Sequence, residues 1–515
     1  MSKGFHRVFI ANRGEIAIRI ARAARELGIS SVGVHADDDG DSLHLQHVDR
    51  AVALGRGGAR AYLDAAHIVS LAVDAGCDAL HPGYGFLSES AELARIAAAR
   101  GVCFVGPRPE ALELFGDKLR ARAFAAELRV PVPRGTALRS LEEAESFFES
   151  LAGASVIIKA VSGGGGRGMR LVRRREELGE ALKRASSEAQ AAFANGEVYA
   201  EELIEGARHV EVQVVGDAQG AVSHLYEREC SLQRRHQKLV EIAPSPSLSA
   251  EERLTLCGYA TRLAAAVAYQ SLGTFEFLVG PRGPVFIEAN PRLQVEHTVT
   301  ETVLGLDLVQ AQLRIAAGAS LAELGLQQAE VPAPRGYAIE LRINAEELSA
   351  DGEVRPTQGT ITRYDMPQGP FVRIDGAGFV GYAPSPGYDT LVAKLIVHAP
   401  QGGYAAALGR AQRALGECNV EGIATNLALL KRIVEDGAVR DNRVHTAYLE
   451  GALPRLLEGL APTSASVTSH DGSVIAAPMF GRVLSVLVEP GDSVQVGQEV
   501  AVLEAMKMES AVLAE

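Results

Sequence analysis

The sequence has few cysteines, and their positions exclude two common uses of this residue. The five are widely scattered, odd in number and without any Cys-x-x-Cys spacing: Cys77, Cys103, Cys230, Cys257 and Cys418. Zinc sites need clustered cysteines, and disulfide frameworks usually need an even number. We therefore expect a reducing compartment, with neither zinc nor disulfides.

Long apolar runs and a basic excess are also missing. No apolar run reaches the roughly 20 residues that cross a membrane, and the chain enters a predicted strand at Arg7 without an apolar signal core. The net charge of −13 and the pI of about 5.6 leave no surplus of cations for nucleic-acid phosphates. The basic run Arg173–Arg175 is followed at once by Glu176, which predicts a solvated helix start. These features predict a cytoplasmic protein with no membrane or nucleic-acid partner.

What is present is an ordinary globular composition with α/β patterning. The 515 residues, 47% apolar and 22% charged, are enough for three or four domains. Residues 8–15 predict a strand and a glycine turn, followed by a helix up to Gly28 and another strand at 31–35. This order predicts a doubly wound α/β opening, but without G-x-G-x-x-G it does not support dinucleotide binding. Another strand-to-loop transition at 79–89 is a place where functional residues are often housed.

A run of four glycines follows a buried-strand pattern. Residues 156–158 are apolar and lead to Lys159, and Gly163–Gly166 come soon after. Glycines let backbone N–H groups close over phosphate oxygens, although the same run is also compatible with a flexible linker. The sequence does not match the P-loop pattern G-x-x-x-x-G-K-[ST]. Because a strand with a terminal lysine precedes the run, we interpret it as a hinged phosphate lid.

A predicted β-hairpin brings two carboxylates together. Apolar runs at 273–279 and 284–290 flank the turn sequence Gly280–Gly283. Pairing about this turn sets Glu276 opposite Glu288, which is unfavourable by roughly 0.2–1 kcal/mol unless a cation lies between them. Mg²⁺ fits because it prefers oxygen ligands, and Asn290 lies on the same strand face as Glu288. The alternative is a pair of solvated carboxylates on an exposed face.

The last part of the chain alternates apolar and polar residues. The alternation covers residues 482–488 and, after a turn at Glu489–Asp492, residues 494–496 and 500–503. It predicts a small module of short strands, preceded by a small and polar tether at 461–472. Taken alone, Lys507 between two methionines is a solvated surface lysine. At the tip of a terminal hairpin, it is instead accessible to a modifying enzyme.

Two sets of motifs resemble known families. Ala477–Gly481 and Glu504–Met508 have the spacing of the biotinyl-carrier domain of biotin-dependent carboxylases, whereas the lysine of a lipoyl domain typically sits in Asp-Lys-Ala. From Phe9 to about Glu450 the chain resembles biotin carboxylase, an enzyme of ATP-grasp fold. The motifs that carry this second resemblance are Ile10–Glu15, His81–Glu89, Gly116–Lys118, Lys159–Met169, Arg208–Glu211, Glu229–Lys238, the Glu276/Glu288 hairpin, Asn290–His297 and Arg342–Glu346.

The resemblance implies a role for each matched residue. The ATP site would comprise the phosphate-binding Lys118 and Lys159, the lid residues Gly164, Gly165, Gly166 and Met169, the adenine-bordering Glu201, Glu202, Leu203 and Ile204, and the nucleotide contacts His209, Gln233 and His236. Mg²⁺ or Mn²⁺ would be bound by Glu276, Glu288 and Asn290. Bicarbonate would be held by Lys238, Arg292, Gln294 and Val295, with Glu296 as its base. Arg342 would stabilise the biotin enolate, and biotin would be attached to Lys507.

The implied fold class is α/β and α+β. It comprises a Rossmann-like N-terminal domain (1–114), an ATP-grasp region (115–317) with a mobile lid at about 131–203, a C-terminal antiparallel-sheet domain (318–450), a linker (451–473) and an all-β biotinyl domain (474–515). Biotinyl domains have nearly as many residues after the lysine as before it, and here only Glu509–Glu515 follow Met508. We therefore expect an incomplete barrel and a longer parent polypeptide.

The implied activity is ATP- and bicarbonate-dependent carboxylation of biotin on Lys507, the first half-reaction of an acyl-CoA or related carboxylase. This makes the chain a ligase. Its partners would be a carboxyltransferase subunit or downstream domain, a biotin protein ligase and further copies of the chain. Two alternatives stay open: another ATP-grasp ligase, such as a carbamoyl-phosphate synthase-like enzyme, and an inactive biotin-carrier scaffold. Acceptor binding belongs to the carboxyltransferase, so these residues do not select between acyl-CoA and pyruvate.

Overall fold

The N-terminal part of the chain is a parallel sheet flanked by helices. The computed structural model describes residues 4–151, 155–161, 169–193, 195–349, 354–357, 359–460, 482–489, 491–505 and 508–514. The first elements are β1 (Arg7–Ile10), α1 (Gly14–Glu26), β2 (Ser30–His35), a 3₁₀ turn (Leu43–Gln46), β3 (Arg50–Ala53), a 3₁₀ turn (Ala59–Leu63), α2 (Ala65–Asp74), β4 (Ala79–His81), α3 (Ala91–Ala99), β5 (Cys103–Phe104), α4 (Pro109–Gly116) and α5 (Lys118–Glu127). The sheet order is β3-β2-β1-β4-β5, and all pairs are parallel. The doubly wound opening is therefore confirmed, with β1 at the point where the strand order reverses.

A separate antiparallel sheet follows. Its elements are β6 (Gly135–Leu138), α6 (Leu141–Ser150), β7 (Val156–Ala160), β8 (Arg170–Val172), a 3₁₀ turn (Arg175–Glu177), α7 (Leu178–Phe193) and β9 (Val198–Glu202). The strands pair in the order β6-β9-β7-β8. Alternate residues of β7, Val156 and Ile158, pack in one apolar cluster with α6 and α7. The predicted strand that leads to Lys159 is thus confirmed as β7.

The largest sheet has eight strands and joins two regions of the chain. Its first part and the following helices are β10 (Arg208–Gly216), β11 (Val222–Arg234), β12 (Gln237–Ala243), α8 (Ala250–Ala266), β13 (Ser271–Gly280), β14 (Gly283–Asn290), α9 (His297–Leu304), α10 (Leu308–Ala316) and α11 (Leu321–Leu324). The later elements are β15 (Tyr337–Asn344), β16 (Glu346–Leu348), β17 (Val354–Pro356), β18 (Arg363–Asp365), β19 (Val372–Gly376), β20 (Leu391–Ala399), α12 (Gly403–Glu417), β21 (Asn419–Glu421), α13 (Leu427–Glu435), α14 (Gly437–Arg440) and α15 (Tyr448–Leu457). The order is β14-β13-β10-β11-β12-β15-β20-β19, with every pair antiparallel.

The two faces of this sheet differ in chemistry around β15 and β20. Leu341, Ile343, Ala393 and Leu395 belong to an apolar cluster that also contains residues of α12, α13 and α15. The residues between them, such as Lys394, have side chains on the opposite face because side chains alternate along a strand. Buried ion pairs and hydrogen bonds occupy that second face, beside α9.

The C-terminal residues form a three-stranded antiparallel sheet. Its strands are β22 (Arg482–Val486), β23 (Glu499–Ala505) and β24 (Met508–Leu513). The prediction of a strand at 494–496 is wrong. There the Gln495 N–H bonds to the Gln498 side chain, and the Gln498 N–H bonds back to the Gln495 carbonyl, so the backbone closes a turn. Among the described residues, no helix combines the length and the apolar character that a membrane crossing requires.

Candidate active site

The site is built around the hairpin formed by β13 and β14. The register pairs Glu276 with Glu288 across the two strands, as the sequence predicts. Glu276 is only 4% exposed, so the alternative of two solvated carboxylates is wrong for this residue. The Glu288 side chain remains 30% exposed. One carboxylate is therefore enclosed and the other borders open space.

The protein itself places cations and donors beside the two carboxylates. Glu276 contacts His209 Nε2 at 2.7 Å and accepts a hydrogen bond from Asn290 Nδ2 at 2.8 Å. Burial by itself raises the pKa of Glu276, but Lys238 and His209 outweigh burial and hold this pKa below its usual range. Glu288 pairs with Lys118 Nζ at 3.1 Å.

Lys238 lies at the centre of the site. Its ammonium group is 2.6 Å from Glu211, 3.3 Å from Glu276 and 2.5 Å from Glu296. Against the effect of burial, these carboxylates raise the pKa of Lys238 well above its usual value, so it stays charged. His209, Glu211 and Glu276 present ligand atoms within 4.8 Å of one another, as in a metal site. Because Lys238 contacts two of these three, that particular cluster is already neutralised by the protein.

The oxygen donors of the hairpin fit a divalent ion better. Glu276 and Glu288 supply carboxylate oxygens from opposed positions, and Asn290 adds an amide on the same strand as Glu288. Mg²⁺ is usually held by one or two carboxylates together with substrate phosphates and water. The partly exposed Glu288 leaves room for such a hydrated ion.

Glu296 and Arg342 form the next layer. Arg342 Nη2 is 3.0 Å from Glu296 Oε2, and Arg342 Nε donates to Glu241 Oε1 at 2.6 Å. Burial would raise the pKa of Glu296, but Lys238, Arg342 and Arg228 hold it well below its usual value. Glu296 is therefore ionised at neutral pH.

Arg292 stands at the mouth of the site with its donors fixed. Its Nε donates to Glu89 at 3.0 Å, its Nη1 to Gln294 Oε1 at 3.0 Å and its Nη2 to Asn290 Oδ1 at 3.1 Å. Gln294 in turn donates to Glu276 at 3.3 Å. The planar guanidinium is thus oriented by neighbours on two sides, while 20% of the side chain remains exposed.

The other predicted nucleotide residues surround this centre. Lys159 and Arg122 both form ion pairs with the buried Glu201, and Gln233 is buried, whereas His236 is exposed. A cavity of about 230 Å³ is lined by Glu202 and Ile204 together with the hairpin turn Gly280–Gly283. Leu203 is half-buried beside them, and Met169 is half-buried just before β8. Gly164, Gly165, Gly166 and Lys507 lie outside the described residues, so the predictions for them stay predictions.

Several residues of the site were not assigned a role from the sequence. Glu211 and Glu89 are the last residues of the motifs Arg208–Glu211 and His81–Glu89. A charged residue within a motif is the sequence feature that points to them. Arg228 is completely buried, and its donors reach Glu211, Gln213, Thr274 and Thr300. The sequence indicates Glu241 only weakly, as a charged residue within an apolar strand. Burial raises its pKa to about 7, with Arg342 opposing and Glu296 adding to the rise.

Family models match nearly the whole chain. "Biotin carboxylase, N-terminal domain" matches residues 4–112, and "Carbamoyl-phosphate synthase L chain, ATP binding domain" matches residues 117–324. "Biotin carboxylase C-terminal domain" matches residues 340–451, and "Biotin-requiring enzyme" matches residues 473–515. The matches occur in the order of the predicted regions.

Individual relatives agree with these models. The biotin carboxylase of Nostoc sp. is 44% identical over 449 residues, which are 87% of this chain and 99% of that protein. The pyruvate carboxylase of Staphylococcus aureus is 44% identical over 455 residues, but the chain spans only 39% of its length. The crystal structure of the biotin carboxylase domain dimer of Hydrogenobacter thermophilus 2-oxoglutarate carboxylase, in complex with MgADP, ADP and bicarbonate, has a TM-score of 0.85 and 41% identity over 88% of this chain and 99% of that one. With the site geometry above, these matches establish that the chain belongs to the biotin carboxylase family.

Proposed function

We propose that the chain uses ATP and bicarbonate to carboxylate biotin carried on Lys507. The observation that carries this proposal is the arrangement of Lys238 between the hairpin carboxylate Glu276 and the ionised Glu296, with Arg342 on the far side of Glu296. In this arrangement the Lys238 ammonium group connects the proposed site for nucleotide and metal, at Glu276, with the proposed bicarbonate site, at Glu296.

Bicarbonate is proposed to bind beside Arg292, Gln294 and Val295, with Lys238 as a point charge. The guanidinium fork of Arg292 matches a planar anion bidentately, and Glu89 already accepts from one of its nitrogens. Glu296 is proposed as the base. Its low pKa makes Glu296 a weak base in water, but direct contact with the bound bicarbonate would favour proton transfer.

The nucleotide is proposed to lie over the hairpin. Lys118 and Lys159 would neutralise its phosphates under the glycines 164–166 and Met169, with Glu201–Ile204 at the adenine and His209, Gln233 and His236 as further contacts. Glu276, Glu288 and Asn290 would hold the divalent ion. When bound, that ion neutralises phosphate charge and orients the terminal phosphoryl group.

Attack of bicarbonate oxygen on the γ-phosphoryl group, with ADP as leaving group, gives carboxyphosphate. Water destroys this mixed anhydride, so the enclosure of the site matters. Glu211, Glu276 and Glu296 are each under 5% exposed, which keeps solvent away from the anion side. Arg342 would offer a cation to negative charge that develops on the carboxyl acceptor. Breakdown of carboxyphosphate would release CO₂ and phosphate, and the phosphate would take the ureido N–H proton of biotin. The freed nitrogen would then bond to CO₂, so that biotin, when attached, would carry the carboxyl group away.

The direct test is ADP release with free biotin as acceptor. We expect release to require bicarbonate, to be stimulated by biotin and to stop with EDTA until Mg²⁺ is restored. ATPase activity indifferent to both bicarbonate and biotin would overturn the proposal. Bicarbonate-dependent release without biotin stimulation would instead favour another ATP-grasp ligase, and complete inactivity would favour a carrier scaffold.

The carrier role has its own test. Streptavidin blotting of the chain, coexpressed with a biotin protein ligase, should give a signal that Lys507→Arg abolishes. A signal that persists in this variant would exclude Lys507 as the biotin site.

We also propose the domain limits given above and self-association of the chain. We further propose a cytoplasmic location, which the five free cysteines support. A carboxyltransferase subunit or downstream domain would pass the carboxyl group to an acyl-CoA or related acceptor. The pyruvate carboxylase relatives add pyruvate as a candidate. Incubating the carboxylated chain and its carboxyltransferase with acetyl-CoA, propionyl-CoA and pyruvate in turn distinguishes these acceptors.

A further inference from the structure

Lys394 is a charged residue in a place where charge is costly. It lies in β20 with a relative exposure of 0%, and its strand neighbours Ala393 and Leu395 face the apolar cluster on the other side of the sheet. Its cross-strand partners are Arg342 and Asp375. A buried ammonium group is stable only where acceptors or opposite charges use its N–H donors.

The ammonium group of Lys394 joins three segments that are far apart in sequence. Its Nζ donates to the main-chain carbonyl of Val295 at 3.0 Å and lies 2.9 Å from Glu15 Oε1. Glu15 belongs to α1 and also accepts a hydrogen bond from the Tyr84 hydroxyl. Lys394 thus links the N-terminal sheet region and β20 to the loop between β14 and α9.

The carbonyl that accepts from Lys394 belongs to the peptide unit between Val295 and Glu296, the proposed base. A peptide unit is planar, so the direction of the Val295 carbonyl fixes the orientation of the bond to Glu296. The carboxylate of Glu296 must reach both Lys238 and Arg342, at 2.5 Å and 3.0 Å. The preceding carbonyl, that of Gln294, is held by the His297 ring at 2.8 Å. Two consecutive carbonyls of this loop are therefore held by side chains.

We propose that Lys394 is a positioning residue for the bicarbonate subsite, because it fixes the Val295–Glu296 peptide through the Val295 carbonyl. This inference rests on the proposed function, in which Val295 contacts bicarbonate and Glu296 is the base. An ion pair with Glu15 alone would not require Lys394, since buried pairs often contribute little compared with apolar residues of the same size. The contact that an apolar pair cannot replace is the one to Val295.

The test separates the ion pair from the carbonyl contact. Glu15→Gln is the matched control, because its amide oxygen still accepts from Tyr84 and Lys394 while the Val295 contact remains. Glu15→Gln/Lys394→Met removes both charges together and also the donor to Val295. Nearby acidic groups keep partners in that variant: Asp375 pairs with Arg373 at 2.6 Å, and Glu340 accepts from Thr298.

Steady-state ADP release gives the first readout. Relative to the Glu15→Gln control, we expect the double variant to raise the bicarbonate KM about tenfold, which corresponds to about 1.4 kcal/mol. The ATP KM should change by less than about twofold, because the nucleotide contacts are untouched. Equal bicarbonate KM values in the control and the double variant would overturn the proposal, as would a parallel rise in both KM values.

Hydrogen exchange gives a second readout that needs no activity. The double variant should lose amide protection in residues 292–299, whereas the control should keep it. Unchanged protection would overturn the positioning role even if the wild type proved inactive, and wild-type inactivity with lost protection would overturn only the proposed function. If the Met-containing variant does not fold, Glu15→Gln/Lys394→Gln replaces it, because the shorter amide cannot place a donor where Nζ lies, and both readouts then apply to it.

Discussion

Replacing Lys238 with Met should convert the buried site from balanced to acidic. In the wild type, Lys238 contacts Glu211, Glu276 and Glu296, all of them enclosed. Arg228 and Arg342 neutralise Glu211 and Glu296 from their other sides. Without the ammonium group, one negative charge is left without compensation.

The cost follows from the enclosure of these carboxylates. Removing one partner of a buried ion pair costs about 3–5 kcal/mol. For a cooperative unit of the size of the eight-stranded sheet with its helices, this corresponds to a fall in Tm of roughly 10 °C. The cost should depend on pH, with a sign set by the pKa shifts.

In the wild type, the pKa values of Glu276 and Glu296 lie below the value of about 4.3 that an unfolded glutamate has. Their stabilising contribution is therefore present above that pH and is lost as the pH falls through the folded values. In Lys238→Met, the largest opponent of burial is removed from both carboxylates, and we expect one of them to take a pKa above the unfolded value. The variant should then lose stability as the pH rises while the wild type does not, so the Tm difference from wild type should be smaller at pH 5 than at pH 8.

Scanning calorimetry at pH 5, 6, 7 and 8 measures this difference. Lys118→Met is the control, because its partner Glu288 has a side chain that is 30% exposed and water can solvate the freed carboxylate. Its Tm should fall by only about 3 °C, in keeping with about 1 kcal/mol or less for such a pair. A Tm difference for Lys238→Met that stays constant between pH 5 and pH 8 would refute the electrostatic reasoning.

Three further variants test the anion side of the site. Arg292→Lys removes the fork of donors and should raise the bicarbonate KM by about tenfold or more at unchanged ATP KM, since an ammonium group cannot bind a planar anion bidentately; an unchanged bicarbonate KM would show that the fork is not used. Glu89→Gln frees Arg292 Nε from a competing carboxylate and should lower the bicarbonate KM about two- to fivefold, the range for a partly exposed pair; a rise would mean that Glu89 helps to bind the anion. Glu241→Gln keeps the shape beside Arg342 but cannot ionise; because burial raises the pKa of Glu241 to about 7, a kcat limb in that range should be present in the wild type and absent from the variant; a limb that persists in the variant would assign it to another group.

The hairpin shows why part of the site could be predicted. The short turn pairs the two strands, but its register alone would set Glu276 opposite Ile287. A β-bulge between Glu276 and Phe277 shifts the pairing by one residue, so that Glu276 faces Glu288. Long-range contacts leave no such local trace. Lys394 and Val295 are brought together only because β20 joins the same sheet as β12 and β15, and no periodicity near either residue encodes that pairing.

The error at 494–496 has a different origin. Alternating Val494 and Val496 satisfy the pattern of a strand, but Gly497 adopts a φ of +82° and its N–H bonds to the Ala514 carbonyl. Local turn chemistry overrides alternation over so short a segment. The bounds of β22 and β23 were easier to predict because longer apolar runs define them.

The four-stranded sheet has a mechanical consequence. In the described part of the chain, β6 to β9 form interstrand ladders only with one another, so the sheet is connected to the rest by two chain segments and by side-chain bridges such as Arg122–Glu201 and Arg282–Glu202. Swinging this unit as a rigid flap would leave every ladder intact. The eight-stranded sheet, by contrast, connects the hairpin that we propose to bind the metal with Arg342 through an unbroken series of hydrogen-bonded strands. Such a movement would change access for the proposed nucleotide while the spacing between the hairpin and Arg342 stays constant.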